Sequence, residues 1–243
     1  MVETRAGSPH LRVLGLVPAR GGSKGVPGKN LALVLGKPLL QYTAEAARAA
    51  RTLARVVLST DDAQIAAAGR AFGLETPFLR PAELARDETP MFPVVQHALV
   101  ALAPDRFDAV LLLQPTSPLR RGADIDGAVA LLERTGADSV IAVVDVGEHH
   151  PARMKSLDAE GRLHNPPFAE AVEGQRRQEL PKLYLREGSI YLTRTSVLLE
   201  QGTFQGRDCR AWIVPPELAC NVDEPHDLLI AEALLRFAAL DDR

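Results

Sequence analysis

The sequence predicts one α/β domain built on a mostly parallel sheet with helices on both faces. Short apolar runs alternate with longer helical patterns over the first 146 residues, which is typical of parallel strands joined by crossover helices. The strand runs are continuously apolar, as expected of strands that are buried on both faces. A chain of 243 residues that is 46% hydrophobic is long enough to bury such a core.

The elements of this first part follow one another closely. RVLGLVP at 12–18 has the pattern of a buried strand, and the apolar residues of 38–50 recur at helical spacing. Asp61 or Asp62 stands where it can cap the helix that follows a strand at 55–60. That helix is expected to end at Gly73. The elements expected after it are an extended segment at 76–80, a helix at about 92–103, a strand at 109–114, a helix at 122–136 and a strand at 139–146.

The regular alternation stops after Val146. Residues 147–188 are polar, rich in Pro, Arg and His, and too long for an ordinary connection, which is typical of a functional segment or of one that docks on a second subunit. Regular structure is expected again as a strand at 189–194, a short helix near 196–201, a strand at 210–215 and a closing helix from Pro225 to about Leu240. We therefore expect a flexible N-terminal tail at 1–10 and a single domain at 11–243 that carries an irregular lobe at about 147–188.

The composition argues against several classes of protein. A net charge of -3 gives no general affinity for nucleic acid. Cys209 and Cys220 have neither metal-ligand spacing nor the pattern of a disulfide framework. The N-terminus lacks a basic start followed by an apolar core, and no apolar run has the length of a membrane span. We expect a cytoplasmic protein that binds neither nucleic acid nor membrane.

A glycine-rich, basic loop follows the first strand, in LVPARGGSKGVPGKN at 16–30. In open parallel sheets, ligands bind beyond the carboxyl ends of the strands, where this loop is expected to lie. Its glycines let backbone N–H groups approach an anion, and Arg20, Lys24 and Lys29 supply cations that can neutralise a triphosphate. A solvated turn is the alternative interpretation.

Two common phosphate motifs do not fit this loop. A P-loop requires Gly six positions before its Lys, and the residue six positions before Lys29 is Ser23. The dinucleotide fingerprint fails as well, because its best register, Ser23, Gly25 and Gly28, lacks the first glycine. Both failures argue against a P-loop NTPase and against a nicotinamide enzyme.

The loop PARGGSKGVPGKN closely resembles the N-terminal signature of the CMP-sialic acid synthetases, or acylneuraminate cytidylyltransferases. Further segments resemble the family in family order, namely STDD, LRPAELARD, LLQPTSPLR, EHHP, RRQELP and GSIYL, and the resemblance spans residues 16 to about 232. It implies a Rossmann-like nucleotidyltransferase fold with a small dimerisation lobe at 147–188, and therefore a homodimer. The implied reaction is attack of the anomeric hydroxyl of a nonulosonic acid on the α-phosphate of CTP, assisted by Mg²⁺, to give the CMP-sugar and pyrophosphate.

The resemblance assigns the nucleotide to the loop and to one later arginine. Arg20 and Lys29 would act on the triphosphate during catalysis, and Asn30 would brace the loop. Arg80 would lie near the cytosine, although a surface arginine after an edge strand is the alternative. The implied nucleotide-binding set is Ala19, Arg20, Gly21, Gly22, Ser23, Lys24, Asn30 and Arg80.

The acidic nine-carbon sugar is assigned to later segments. Arg177 would bind its carboxylate through a planar cationic fork, with Arg176 and Lys155 as weaker candidates. His149 and His150 are expected at the surface or at an interface. The implied sugar-binding set is Gln114, Thr116, Ser117, Arg177, Gln178 and Tyr191. A Pro-stiffened turn remains an alternative for 114–120, and a core position remains one for Tyr191.

The sequence departs from the family pattern at the metal site and at one further position. In CNVDEPHD, Asn221 stands where relatives commonly have the first of two aspartates, and Asp223 keeps the second. The resemblance implies that Asp223, with Asn221, would hold Mg²⁺, and that Asp223 thereby serves catalysis; a helix cap is the alternative for Asp223. Glu187 stands where relatives have Asn, and a glutamate facing an acidic sugar would repel it.

Other functions remain open at this point. The sugar is expected to be sialic-acid-like, and the nearest alternative is another acidic 2-keto sugar, namely legionaminate, pseudaminate or 3-deoxy-manno-octulosonate. A non-catalytic nucleotide-binding homologue is kept open by Asn221. A nicotinamide-dependent oxidoreductase is disfavoured by the missing glycine and the lysine-rich loop.

Overall fold

A six-stranded mixed sheet forms the centre of the protein, in the order β10-β6-β9-β5-β1-β4. The computed structural model describes residues 10–241, so the tail expected at 1–10 lies outside the described residues except for His10. The strands of this sheet are β1 (Val13–Pro18), β4 (Leu53–Ser59), β5 (Ala109–Leu112), β6 (Ser139–Asp145), β9 (Tyr184–Arg194) and β10 (Cys209–Ile213). Two small hairpins complete the strands, β2 (Leu33–Val34) with β3 (Lys37–Pro38) and β7 (Ser156–Leu157) with β8 (Leu163–His164).

Helices cover both faces of the sheet. They are α1 (Leu39–Ala49), α2 (Ala63–Ala71), α3 (Met91–Ala101), α4 (Gly122–Thr135), α5 (Thr195–Gln201) and α6 (Pro225–Asp241). Helices α1, α2 and α4 contribute to one apolar cluster, whereas α3 and α5 contribute to a second cluster on the opposite face. Strand β1 divides its side chains between the two, with Val13 and Val17 in one cluster and Leu14 and Leu16 in the other. The predicted α/β class with helices on both faces is confirmed.

Local sequence signals explain where several helices begin and end. The Asp62 side chain accepts hydrogen bonds from the backbone N–H groups of Gln64 and Ile65, which caps α2 as one of the two predicted candidates. Helix α4 ends at Gly136, which has a φ of 68° and so adopts the left-handed conformation that favours glycine. None of the helices that the structure describes combines the length and the apolar character needed to cross a membrane.

Strand β9 runs against its neighbours. It pairs antiparallel with both β5 and β6, whereas β1 is parallel to β4 and β5, and β10 is parallel to β6. The chain leaves β6 at its carboxyl end, passes through the irregular lobe and enters the sheet again from that same end, so β9 has to run backwards. It begins at Tyr184, five residues before the predicted start at Ser189.

The segment at 76–80 differs from a regular strand. Only an isolated bridge joins Val57 to Glu75 just before it, and Arg80 is buried against the end of β4. The alternative interpretation of Arg80, a surface arginine after an edge strand, is therefore wrong. Its backbone N–H donates to the carbonyl oxygen of Thr60 at 2.7 Å, which turns the segment inwards over the carboxyl edge of the sheet.

Candidate active site

A cavity of about 160 Å³ lies at the carboxyl edge of the parallel strands, under the glycine-rich loop. The ends of β1 and β5 supply its floor, and the loop covers it from above. The lining residues are Pro18, Arg20, Gly22, Ser23, Lys29, Asn30, Arg80, Met91, Gln114, Pro115 and Thr116. The sequence had assigned most of these positions to substrate binding, so the fold brings the predicted nucleotide loop and part of the predicted sugar-binding set to one place.

Hydrogen bonds hold the base of the loop against β4. The Ala19 N–H donates to the carbonyl oxygen of Ser59 at 3.0 Å, which continues the pairing of β1 beyond its end. The Gly21 N–H donates to Oδ1 of Asp61 at 3.0 Å. The buried Asn30 side chain donates through Nδ2 to the carbonyl oxygen of Arg20 at 2.8 Å, which is the bracing contact expected of it.

Two cations of the loop converge on one carboxylate. Arg20 Nη2 lies 2.6 Å from Oδ1 of Asp87, and Lys24 Nζ lies 2.7 Å from Oδ2 of the same residue. The hydrogen bond from Lys24 is the main reason why the pKa of Asp87 is lowered, and the same bond raises the pKa of Lys24. Both shifts favour the charged forms, so an anion and two cations face one another beside the cavity.

Lys29 joins the loop to the segment before the last helix. Its Nζ donates to the carbonyl oxygen of Val222 at 2.8 Å and to Oδ1 of Asp223 at 2.9 Å. The side chain is only 13% exposed, whereas that of Asp223 is 62% exposed. Lys29 therefore lines the cavity as a mostly buried cation, whereas its partner carboxylate is exposed to solvent.

The same segment packs closely on the loop and on the end of β5. The Val222 N–H donates to the carbonyl oxygen of Thr116 at 2.8 Å. A Cβ atom at Gly25 would collide with the carbonyl oxygen of Asp223, so the loop can approach this closely only because residue 25 is glycine. Residues 221–223 thus pack behind Lys29 and Thr116, two of the residues that line the cavity.

Arg80 lines the cavity from the β4 side. Its Nη2 donates to the carbonyl oxygen of Ser59 at 2.5 Å, and its Nε donates to Oγ of Ser59 at 3.1 Å. Burial lowers the pKa of this guanidinium, and Arg20 lowers it further, whereas Asp61 opposes the shift. The side chain is fixed to the protein and still presents a guanidinium surface to the cavity.

The turn after β5 presents neutral polar groups. Gln114 and Thr116 line the cavity, and Ser117 is buried beside them. Within residues 10–241, the buried hydroxyls of Thr116 and Ser117 have no hydrogen-bond partner. A Cβ atom at Gly188 would lie 3.7 Å from Oγ of Ser117 and 3.7 Å from Oδ1 of Asn221, so the middle of β9 packs against this turn.

Glu187 is turned into the protein. Its side chain is 7% exposed, and its Oε2 accepts a hydrogen bond from the backbone N–H of Ser189 at 3.0 Å. The other carboxylate oxygen is buried without a hydrogen-bond partner among the described residues. A carboxylate held by its own strand in this way does not project into the cavity. Glu187 is therefore not placed to repel an acidic ligand there.

Asp223 and Asn221 contact each other in an orientation that bears on metal binding. The amide Nδ2 of Asn221 donates to Oδ2 of Asp223, so the amide oxygen faces away from that carboxylate. No cluster of three or more His, Cys, Asp or Glu side chains suited to a metal ion occurs within the described range. The carboxylate of Asp223, which accepts from Lys29 and from Asn221, is the charged group here that would hold a Mg²⁺, and phosphates and water would have to supply the other oxygen ligands.

Several predicted sugar-binding residues lie elsewhere. Arg177 and Gln178 line a separate cavity of about 520 Å³ in the lobe, together with Asp145 and His150, and this cavity shares no lining residue with the one under the loop. Arg177 is exposed, with Nη2 3.8 Å from Oδ1 of Asp145. Tyr191 packs against the apolar cluster on the α3 face, which is the core position left open for it.

The remaining candidates in the lobe have local partners. Lys155 is exposed and donates to Oδ1 of Asn165 at 2.5 Å. His149 is exposed, but His150 is buried, in contrast to the surface or interface position expected for both. The Nδ1 of His150 accepts from the backbone N–H of Ala152 and its Nε2 lies 3.0 Å from the carbonyl oxygen of Pro181, so this ring supports the lobe.

Sequence reasoning missed three residues that shape the site. Asp61 holds Gly21, Asp87 holds two loop cations, and Arg120 donates to the carbonyl oxygen of Gln114 at 2.5 Å. All three lie in the segments STDD, LRPAELARD and LLQPTSPLR, which had been noted for their resemblance. The partners of Asp61 and Asp87 are distant in sequence, as is Ser189, the other backbone acceptor of Arg120, so the segments alone carried no sign of these contacts.

Comparisons with known proteins show which proteins the chain resembles. A family model described as cytidylyltransferase matches residues 14–212. The chain is 33% identical to the CMP-N,N'-diacetyllegionaminic acid synthase of Legionella pneumophila, over 93% of this chain and 97% of the relative. It is 29% identical to a pseudaminic acid cytidylyltransferase of Campylobacter jejuni, over 93% of this chain and 97% of that protein.

Two further similarities are partial or structural. The N-acylneuraminate cytidylyltransferase of Escherichia coli is 30% identical over 90% of this chain, but the chain spans only 51% of that protein. The solved structure of a CMP:2-keto-3-deoxy-manno-octonic acid synthetase complexed with CTP has a TM-score of 0.66 and 20% identity, and the match covers 93% of this chain and 99% of that chain. The latter similarity concerns the fold.

Proposed function

The chain belongs to the cytidylyltransferase family and is therefore a nucleotidyltransferase, and from this premise we propose that it joins CTP to a nonulosonic acid to give the CMP-sugar and pyrophosphate. One observation carries the proposal. Arg20 and Lys29 line a cavity at the carboxyl edge of the sheet, and Arg20 converges with Lys24 on the carboxylate of Asp87 beside it. Cations arranged in this way suit the oxygens of a triphosphate.

The nucleotide would lie under the glycine-rich loop. Backbone N–H groups of Gly22 and Ser23 and the side chains of Arg20, Lys24 and Lys29 would bind the phosphates, and Arg80 would lie beside the cytosine. Lys29 is fixed by Val222 and Asp223, so its charge needs little reorganisation as negative charge grows on the departing pyrophosphate.

The sugar would lie against the turn after β5. Its anomeric hydroxyl attacks the α-phosphate, the new P–O bond forms as the bond to the β-phosphate oxygen breaks, and the proton of the hydroxyl is lost to solvent. Gln114, Thr116 and Ser117 offer neutral donors and acceptors to hydroxyl or N-acyl groups, including two hydroxyls without a partner in residues 10–241. Such a transfer needs positioning and charge more than covalent help from the protein.

A magnesium ion is part of this proposal. Asp223 would bind it, with Asn221 as a neighbour that holds the carboxylate. When bound, Mg²⁺ neutralises phosphate charge and favours departure of pyrophosphate.

The sugar is expected to be an acylated nonulosonic acid. The sequence pattern favours an N-acylneuraminate, whereas the 33% identity to a CMP-N,N'-diacetyllegionaminic acid synthase along nearly the whole chain supports a legionaminate-type substrate as the second candidate. The neutral wall of Gln114, Thr116 and Ser117 suits either sugar. The use of CTP also favours the cytoplasm, where nucleoside triphosphates are available.

A homodimer is the assembly that we propose. The lobe carries many exposed apolar side chains, namely Met154, Leu157, Leu163, Phe168, Val172, Leu183 and Leu185. Its hairpin of β7 and β8 has strands of two residues each, which is too little to be stable in water without a further surface to pack on. A second copy of the lobe would cover these side chains.

The experiment is a screen for pyrophosphate release. CTP, UTP, ATP and GTP are each paired with N-acetylneuraminate, N,N'-diacetyllegionaminate, pseudaminate and 3-deoxy-manno-octulosonate in the presence of Mg²⁺. The expected result is release with CTP and one of the nonulosonic acids. Release with 3-deoxy-manno-octulosonate alone, or no release with any pair, would contradict the proposal.

A further inference from the structure

Arg120 is a buried guanidinium that joins three elements behind the cavity wall. It is 6% exposed. Its Nε donates to the carbonyl oxygen of Ser189 at 2.7 Å, and its Nη2 donates to that of Gln114 at 2.5 Å. Its Nη1 donates to Oγ1 of Thr43 on α1 at 3.3 Å. The planar fork of arginine can reach all three acceptors at once.

No carboxylate in the described part of the chain lies within ion-pair distance of this guanidinium. Glu187 on β9 and Asp124 on α4 are the charged groups that raise its pKa, but burial outweighs them and lowers the pKa to about 10. The side chain is therefore charged at neutral pH. A buried charge without a direct counter-ion costs more free energy than an apolar side chain of the same volume, so filling space does not explain why arginine stands here.

The residues that Arg120 holds face the proposed sugar position. Gln114 lines the cavity and opens the turn that contains Thr116 and Ser117. Ser189 is held from both sides, because its carbonyl oxygen accepts from Arg120 and its N–H donates to Glu187. The preceding Gly188 has a φ of 96° and would place a Cβ atom 3.7 Å from Oγ of Ser117. The turn after β5 and the middle of β9 are thus both held by Arg120.

We propose that Arg120 is a positioning residue for the acidic sugar, because it fixes the turn of Gln114 to Ser117 against the middle of β9. This inference rests on the proposed function. Arg120 does not itself line the cavity and touches no substrate, so its effect is transmitted through Gln114 and Ser189. The nucleotide side of the cavity has its own buried arginine, Arg80, which is bound to Ser59.

The test compares Arg120→Lys and Arg120→Met with the matched control Arg194→Lys. Arg194 also donates through Nε to a backbone carbonyl, that of Ala137 at 2.8 Å, but it lies at the opposite end of the sheet. In Arg120→Lys, a point charge cannot keep three hydrogen bonds in fork geometry, so we expect the KM for the sugar to rise about tenfold or more. The KM for CTP is expected to change by less than about threefold, and Arg194→Lys to leave both values unchanged.

A pH profile separates this role from a loss of packing. A lysine buried at this position has its pKa lowered by desolvation. The ammonium of Arg120→Lys is then lost as the pH rises from 7 to 9, so kcat/KM for the sugar should fall over that interval while the wild-type profile stays flatter. Arg120→Met, if folded, should show the raised KM for the sugar at every pH.

The outcomes are distinct. Equal losses for CTP and sugar, or unchanged KM values in a folded Arg120→Lys variant, would overturn the inference and leave the proposed function intact. Absence of turnover by the wild-type protein with every sugar would overturn the proposed function and this inference with it. Melting temperatures of all variants identify losses that come from unfolding.

Discussion

Asp87 and Asp223 bind the same cations that the proposed function assigns to the triphosphate. Asp87 contacts Arg20 and Lys24, and Asp223 contacts Lys29. These contacts restrict the rotamers of the three cations, so less rotamer freedom is lost when the nucleotide binds. The phosphates of the nucleotide must either share these cations with the two carboxylates or displace the carboxylates from them. Part of the free energy of nucleotide binding is therefore offset by the exchange of one anion for another.

Lys29 is the cation whose removal should affect turnover most. We expect Lys29→Ala to lower kcat/KM by about 100-fold or more, because its fixed ammonium meets charge that develops on the departing pyrophosphate. The initial rate with CTP and the identified sugar measures this. Lys37→Ala is the matched control, since Lys37 pairs with Glu45 at 2.9 Å on the surface. Near wild-type rates in a folded Lys29→Ala variant would return the loop to the interpretation of a solvated turn.

Asn221→Asp tests the departure from the family pattern. The present amide donates to Asp223, whereas a second carboxylate would repel it and would attract a hard dication more strongly than an amide does. We expect less Mg²⁺ to be needed for half-maximal activity. Mg²⁺ should also raise the melting temperature of the variant more than that of the wild type. An unchanged Mg²⁺ midpoint in a folded variant would mean that Asn221 serves only to hold the segment before α6.

At the scale of elements, the glycine-rich loop and the segment 221–223 act as a pair. Lys29 bonds to this segment, and Gly25 approaches it so closely that no Cβ atom fits. The sequence showed both segments, but it did not show that they touch, because nearly two hundred positions separate them.

Gly25→Ala should separate these two segments. The added methyl meets the backbone of Asp223, so the loop has to move and Lys29 loses its alignment. We expect kcat/KM to fall by about tenfold or more, since small misplacements of binding groups are costly in catalysis. The melting temperature shows whether the variant is folded. An unchanged kcat/KM in a folded Gly25→Ala variant would contradict the proposed role of this close contact.

The sequence predicted most elements of the sheet because apolar periodicity is a local property. Asp62 as a cap and Gly136 as a helix end also followed from local chemistry. The direction of β9 did not follow from local chemistry. It depends on the end of the sheet at which the chain leaves β6 for the lobe and at which it returns. The roles of Asp87 and Arg120 did not follow from local chemistry either, because each binds groups that only the folded chain brings near.

At the scale of the whole molecule, the lobe is expected to form the dimer. Leu157 on the β7–β8 hairpin is 69% exposed, and burying it against a second copy would favour association. We expect light scattering to give a dimer at tens of micromolar protein, and Leu157→Asp to shift it toward the monomer. Leu229→Asp is the control, because Leu229 is 70% exposed on α6 instead of on the lobe. A wild-type monomer under these conditions would contradict the homodimer.

Arg177 gives the dimer a functional test. It lines the cavity in the lobe and not the cavity under the loop, so within one chain the predicted carboxylate-binding residue is apart from the predicted nucleotide site. If the lobe of one copy completes the site of the other, Arg177→Ala should raise the KM for the sugar far more than the KM for CTP, because the sugar carboxylate loses its charged partner.

Mixing Arg177→Ala with Lys29→Ala shows whether this arginine acts across the interface. A two-fold dimer of one chain of each kind has one site with both Lys29 and the partner's Arg177 intact. Random exchange makes about half of the dimers mixed, so up to about a quarter of the wild-type rate should return at low sugar concentration. If Arg177 acts on the site of its own chain, every site in the mixed dimer lacks one of the two residues and no activity returns. Exchange is followed with copies that carry different tags, so that an unmixed sample is not taken for a negative result. Recovery in the mixture would therefore place Arg177 at the sugar of the neighbouring copy, and its absence after verified exchange would confine Arg177 to its own chain.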